Sequence, residues 1–201
     1  MKILLQIALF TLVFASLTFA QGYKKPPKEI LHILDAPATP ITSVSPAKDK
    51  IALFTRLRYP PVADYAEPML RMAGRRVNPK TNSSHRQRYY VSVSIKDIAT
   101  GNEKKVNLPN GVKLISPNWT ADGKYIAVGN ITPSGVELWI VETASATAKK
   151  LRGIQVNTAF GWFEWLPNQR DLMVSMVPSG RGQAPAVSIV PTGPSIQETS
   201  G

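Results

Sequence analysis

The sequence predicts an all-β chain built as a partial β-propeller of about two and a half four-stranded blades. Two repeated motifs and one long interruption carry that expectation. Trp119-Thr-Ala-Asp-Gly-Lys-Tyr-Ile-Ala-Val128 aligns without gaps on Val44–Leu53 and on Trp165–Val174. In each copy an apolar residue enters a polar turn and an apolar triplet leaves it. Trp119 and Trp165 stand 46 residues apart. A second motif, Asp97–Val106, aligns on Glu142–Leu151 at an offset of 45. Each copy follows a β-rich run and returns through Lys-Lys-apolar. Two motifs sharing one period, each unit made of strands, is the signature of propeller blades.

The elements follow in order. Residues 1–20 are expected to be a signal peptide. Lys2 supplies the positive charge, Ile3 to Phe19 is mostly apolar, and Thr18-Phe19-Ala20 places small residues before Gln21. The mature protein is then expected to be exported, periplasmic or extracellular, with no stable membrane insertion after cleavage. Residues 21–40 are a tether with a short helix: Pro26-Pro27 start it, Ile30, Leu31, Ile33 and Leu34 space its apolar face, and Pro37 stops it. Residues 41–108 form the first blade. Residues 109–154 form the second, with strands near Leu114–Trp119, Lys124–Asn130, Val136–Glu142 and Lys149–Arg152. Residues 155–201 start a third unit and run into a Pro/Gly-rich loop. Closed propellers need about four to eight blades, so the chain is expected to be the N-terminal piece of a longer protein.

Within the blade motif, Val44, Trp119 and Trp165 are apolar anchors, and Asp122-Gly123 is the turn. Asp-Gly is a strong hairpin signal because glycine accepts the positive φ the turn demands.

The copies at Val44 and Trp119 lie 75 residues apart, about 30 more than the period. The excess is an insertion at about 56–88, between the second and third strands of the first blade. Between Arg56 and Arg88 it holds eight Lys or Arg and two acids, Asp64 and Glu67. Much of the formal net charge of +11 is therefore local. Arg71, Arg75 and Arg76 fall within little more than one turn of an expected short helix over 66–74. They are the candidate substrate-binding residues, since arginine forks grip carboxylates bidentately. A solvated face with a Glu67–Arg71 pair is the alternative.

Chemistry is otherwise sparse. With no cysteine and two histidines, His32 and His85, thiol catalysis and thiolate metal sites are excluded, and no metal or cofactor is expected. No Gly-x-Ser-x-Gly elbow and no phosphate-binding loop occurs, so no catalytic residue is assigned. Nucleic acid is not an expected partner of an exported chain.

Several stretches together resemble a known family. They are Lys25-Pro26-Pro27-Lys28-Glu29-Ile30, Leu34-Asp35-Ala36-Pro37, Ala66–Gly74, Arg76-Val77-Asn78-Pro79, Phe163–Pro167 and Pro191-Thr192-Gly193-Pro194. The chain resembles the N-terminal part of a secreted prolyl oligopeptidase-family serine peptidase, closest to the glutamyl endopeptidase-like branch. Gln169 and Ala121 depart from the usual Gly and Pro of its turns. The resemblance implies a propeller that gates peptide access to a C-terminal α/β-hydrolase domain. That domain carries the triad, none of which lies in these residues, and takes a peptide or protein substrate. The alternative is a non-enzymatic, TolB-like binding propeller of the cell envelope.

Overall fold

The computed structural model describes residues 24–182. The expected signal peptide, the Pro185–Pro194 linker and the Pro191–Pro194 segment lie outside the described residues. The chain divides into two units, 1–36 and 37–201. In the first, helix α1 (Lys28–Asp35) begins after Pro27 and gives way to extended backbone at Ala36. It makes one short helix in the expected place, with none of its side chains buried.

The second unit is all-β in its main architecture. β1 (Ile41–Val44) and β2 (Lys50–Thr55) form a hairpin. β2 then pairs, residue for residue from Lys50 to Thr55, with β6 (Ser92–Asp97), and β6 pairs with β7 (Glu103–Lys105). The result is a four-stranded antiparallel sheet in the order β1-β2-β6-β7. A second four-stranded antiparallel sheet is a plain meander of β8 (Leu114–Trp119), β9 (Tyr125–Thr132), β10 (Gly135–Glu142) and β11 (Thr147–Lys150). Its fourth strand starts two residues before the expected one, because Ala146 takes the positive φ (55°) that ends the turn. Gly101 holds the same place, 45 residues earlier, at φ 72°. β12 (Phe163–Trp165) and β13 (Leu172–Val174) form a two-stranded sheet. Among the described residues no sheet closes on itself.

The chain between β2 and β6 folds differently from its sequence reading. It holds one short helical turn, α2 (Val62–Tyr65), and a three-stranded sheet of β3 (Leu70–Met72), β4 (Arg75–Asn78) and β5 (Ser83–Ser84). The helix expected over 66–74 is therefore corrected to a strand and a hairpin turn. Ala73 and Gly74 both sit at positive φ, 46° and 77°, which is the backbone of a two-residue hairpin turn that right-twisted strands prefer. Helix propensity in Leu-Arg-Met-Ala loses to that turn.

Two apolar cores show how the sheets are layered. Ala52, Phe54, Val93 and Ile95 of the first sheet pack with Leu114, Ile126, Val128 and Val141 of the second. Ile115, Ala127, Val136 and Leu138 of the second sheet pack with Val156 and Phe163, and with Trp165, Leu172 and Val174 beside them. The central sheet is thus covered on both faces, which is why Ile126-Ala127-Val128 reads as an unbroken apolar run. Strand alternation sends Ile126 and Val128 to one core and Ala127 to the other. In β8 the same alternation buries the neighbours Leu114 and Ile115 on opposite sides, and a bulge follows between Ile115 and Asn118. Pro117, which has no amide to donate, lies on this edge strand. Full burial of side chains such as Phe54 or Leu138 is worth about 1.5–3 kcal/mol each.

The three copies of the repeated turn motif have one backbone. Lys48, Gly123 and Gln169, equivalent by the ungapped alignment, have φ of 59°, 70° and 58°. In each copy the second residue donates its amide to the seventh: Ser45 to Lys50, Thr120 to Tyr125, Leu166 to Asp171, at 2.8–2.9 Å. In each, the fifth residue donates back to the second: Lys48 to Ser45, Gly123 to Thr120, Gln169 to Leu166.

The copies also touch one another by a repeated rule. Trp119 Nε1 donates to Ser43 Oγ (2.9 Å), and Trp165 Nε1 donates to the Asn118 carbonyl (3.0 Å). Ser43 and Asn118 each precede the first residue of the preceding copy. Between the first two turns, Gly123 packs so closely that an added methyl would lie 3.2 Å from Ser45 Cβ. Between the second two, the Ala121 amide donates to Gln169 Oε1.

Candidate functional site

The insertion that interrupts the first sheet builds the candidate site. Its two stems must meet, because Thr55 pairs with Ser92 and the Val91 amide donates to the Thr55 carbonyl at 2.8 Å. That closure brings Arg56-Leu57-Arg58 at one end beside Arg86-Gln87-Arg88-Tyr89 at the other. Together with Ala38, Thr39, Pro60, Asp64 and Tyr65 they line a cleft of about 640 Å³.

Four of these residues are arginines and one is an acid. Asp64 does not balance them, because it is already engaged. Lys113 Nζ donates to its Oδ1 at 2.7 Å, and Tyr89 Oη donates to its Oδ2 at 2.7 Å. Burial pushes the Asp64 carboxyl up. The Lys113 and Tyr89 hydrogen bonds outweigh that and hold it below the usual carboxylate range. Tyr89 moves the other way: burial first, then the Asp64 charge, push its hydroxyl up to about 12. Its hydroxyl stays protonated at neutral pH and donates to Asp64 as a latch. Lys113 also lies 5.2 Å from the Tyr89 ring centroid. Its own amide donates to Asn130 Oδ1, tying the latch to the central sheet.

Among the described residues Arg56, Arg86 and Arg88 take part in no ion pair. Arg86 sits in the left-handed region at φ 61°, costly for a side chain of its size. Its guanidinium lies 4.3 Å from the Tyr65 ring centroid, a cation–π contact that offsets part of that cost. Tyr65 belongs to α2, so the aromatic wall and the Asp64 latch come from the same helical turn.

The sequence-nominated arginines do not form one cluster. Arg71 and Arg76 are direct cross-strand partners and share one exposed face of the insertion sheet. Arg75 alternates to the other face. There it donates to the Ala159 carbonyl at 2.8 Å and lies 5.5 Å from the Phe160 ring centroid. It anchors the insertion to the third sheet's approach, helped by the Thr158 and Ala159 amides, which donate to the Asn82 carbonyl, and by Arg181, which donates to the Pro79 carbonyl. Glu67 and Arg71 are not a helical pair. Instead His85 Nε2 donates to the Glu67 carbonyl at 3.0 Å. The cleft arginines escaped nomination because about 30 residues separate the stems. The signal for them was the insertion itself, since the ends of an excursion between paired strands have to converge.

The remaining candidates make their contacts within the repeated units. Val44, expected as an apolar anchor, is instead 53% exposed on the edge strand β1, while Trp119 and Trp165 are the inter-copy anchors described above. Asp122 accepts from Thr120 Oγ1 and from the Lys124 amide, and these, with the Lys124 side chain, bring its carboxyl down to about 2. Glu137 accepts from Trp139, Asn130 and Lys150 and is spent within its sheet. No group of three metal-ligating side chains occurs among the described residues.

No family model matches the chain. Over 195 residues it is 36% identical to a protein of Oryza sativa subsp. japonica named probable glutamyl endopeptidase, chloroplastic. Over 191 residues it is 34% identical to one of the same name from Arabidopsis thaliana. Each comparison covers 89% of this chain but only 21% and 20% of the relative. The chain spans about a fifth of the length of the curated relatives it matches, and over most of its own length it is similar to part of a peptidase.

Proposed function

We propose that this chain is the N-terminal β-propeller portion of an exported serine peptidase of the prolyl oligopeptidase family, in its glutamyl endopeptidase-like branch. The stacked sheets are blades, and their ring gates peptide access to an α/β-hydrolase domain that carries the catalysis. The observation that supports the blade reading most is the head-to-tail rule. A tryptophan of each later copy bonds to the residue just before the preceding copy, twice in succession. A sandwich gives no reason for such a rule, whereas radial repetition of one unit accounts for it. The named relatives support the peptidase reading.

The reading frame beyond the Gly201 codon tests the proposal. It is expected to encode further four-stranded units and then a Gly-x-Ser-x-Gly nucleophile elbow. Further units ending without a nucleophile would overturn the peptidase reading in favour of a TolB-like binding propeller. Export is tested by N-terminal sequencing of the mature protein, which is expected to begin at Gln21. A retained Met1 would contradict cleavage.

A further inference from the structure

We propose that the insertion docks the protein on an anionic lipid bilayer, with Tyr59 and Val62 entering the interface and Arg71 and Arg76 held at the headgroups. The proposal goes beyond the peptidase reading and does not depend on it.

Three observations carry it. The first is apolar exposure from which folding gains nothing. Arg56 to Ala63 is an unbroken exposed run. Within it Val62 is 83% and Tyr59 71% exposed, the two highest values among the large hydrophobic residues described. The fold leaves these side chains in water, and a second apolar phase is what would bury them. Tyrosine suits the boundary of such a phase, since its ring is apolar and its hydroxyl stays wet. Pro60 and Pro61 restrict the backbone between the two side chains, and Pro61 stands at the N-terminus of α2. Little entropy is then lost when they dock.

The second is a charge pair that the fold leaves opposed. Arg71 and Arg76 are direct cross-strand partners, both exposed, and like charges directly opposite repel. Neither joins an ion pair among the described residues. A layer of phosphate headgroups offsets that repulsion, because each arginine near an anionic surface strengthens partitioning about fivefold. From Arg56 to Arg88 the sequence sets eight Lys or Arg against two acids, so the excursion as a whole is basic.

The third is adjacency. The His85 amide donates to the Arg76 carbonyl at 2.8 Å, and its Nε2 donates to the Glu67 carbonyl at 3.0 Å. Arg86, the next residue, lies 4.3 Å from the Tyr65 ring centroid. That one segment joins the arginine hairpin to α2, whose first residue is Val62. The apolar tip and the basic hairpin are neighbours on one excursion. Interfacial segments use the same pairing, with apolar area for the lipid boundary and cations for the headgroups.

The test is co-sedimentation of the whole protein with phosphatidylcholine vesicles, with and without about 30% phosphatidylglycerol. The anionic vesicles are expected to bind at least about tenfold more tightly. Raising salt from about 0.1 M to about 0.5 M is expected to weaken that binding several-fold. Arg71→Gln/Arg76→Gln is expected to lose about tenfold or more, and Tyr59→Ser/Val62→Ser about fivefold or more. All four side chains are exposed, so both variants are expected to melt at the wild-type temperature. Should the second melt early, Val62→Asp decides: a several-fold weakening supports the proposal and unchanged binding overturns it. Lys104→Gln/Lys105→Gln removes the same charge from the exposed edge strand β7 and is expected to leave binding nearly unchanged. Equal loss in that control would mark general adsorption of a basic protein and overturn the proposal. Release by inorganic phosphate, at a concentration too low to change the ionic strength, would mark a phosphate pocket and overturn it too. Binding no tighter than to phosphatidylcholine alone would overturn it and leave a protein as the occupant of this surface.

Discussion

The central sheet and the insertion are held by different physics. The sheet of β8 to β11 is covered by apolar side chains on both faces, with Leu114, Ala127 and Leu138 fully buried. The insertion, from Arg56 to Arg88, buries Val77 as its one large apolar residue and relies on polar ties. These are Asp64 to Lys113 and Tyr89, Arg75 to Ala159, and Asn82 to Thr158 and Ala159. Apolar burial is strong and non-directional, so it fixes a scaffold. Polar ties are directional and individually modest, so they place side chains at a surface. The contrast separates a scaffold fixed by apolar burial from an excursion whose exposed side chains are placed by polar ties.

The largest expected effect follows from the scaffold side. Leu138→Ala removes a fully buried side chain from the second core and is expected to cost about 2–5 kcal/mol, read from the urea midpoint. Val77→Ala, in the insertion, is expected to cost less, because its surroundings can relax. Equal losses would erase the distinction. Gly129→Ala comes next. The new methyl would lie 2.9 Å from Ile115 Cγ1 and 3.2 Å from Val136 Cγ1, and overpacking of this kind costs about 1–3 kcal/mol.

The repeat rule sharpens the comparison within the scaffold. Trp119→Phe and Trp165→Phe each keep an aromatic ring and lose one indole donor. Each is expected to cost about 1 kcal/mol. A large loss in one and none in the other would mean that the two junctions are not equivalent.

The insertion's latch has a pH signature. The Asp64 carboxyl is held below its ordinary value of 3.8, so it binds protons less readily folded than unfolded. Its contribution is present above that ordinary value and is lost as pH falls through the lower folded value. The stability gap between wild type and Asp64→Asn is therefore expected to shrink as pH drops below about 4. Denaturant midpoints across pH 2–6 measure it, and a gap that widens with acid would contradict the latch. The smallest effect is at Lys48, where φ is 59°. Lys48→Gly relieves a left-handed side chain and is expected to stabilise by about 0.5–1 kcal/mol.

The scaffold was legible because it repeats. The ungapped alignment of Val44–Leu53, Trp119–Val128 and Trp165–Val174 identifies turns whose hydrogen bonds coincide, and Leu114–Trp119 was placed to the residue. Lys48 and Gln169 show why alignment did better than turn chemistry: neither is glycine, yet both adopt its conformation. The insertion was not legible in the same way. It has no second copy to compare with, and Ala66–Gly74 carries helix-forming residues whose outcome is decided by two positive φ values at Ala73 and Gly74. A helix would group Arg71, Arg75 and Arg76, whereas strand alternation keeps Arg71 and Arg76 on one face and sends Arg75 to the other. Arg56 and Arg88 are joined only by the Thr55–Ser92 pairing, a contact no local pattern announces.

Native-state hydrogen exchange on the whole protein tests the division most directly. The account predicts two tiers. Amides of β9 and β10, at Ile126–Val128 and Val136–Val141, are to exchange last, at the free energy of global unfolding. Amides of β3 to β5 are to exchange earlier, through a local opening that Asp64→Asn accelerates. Insertion amides as slow as those of the central sheet, or insensitive to Asp64→Asn, would contradict it.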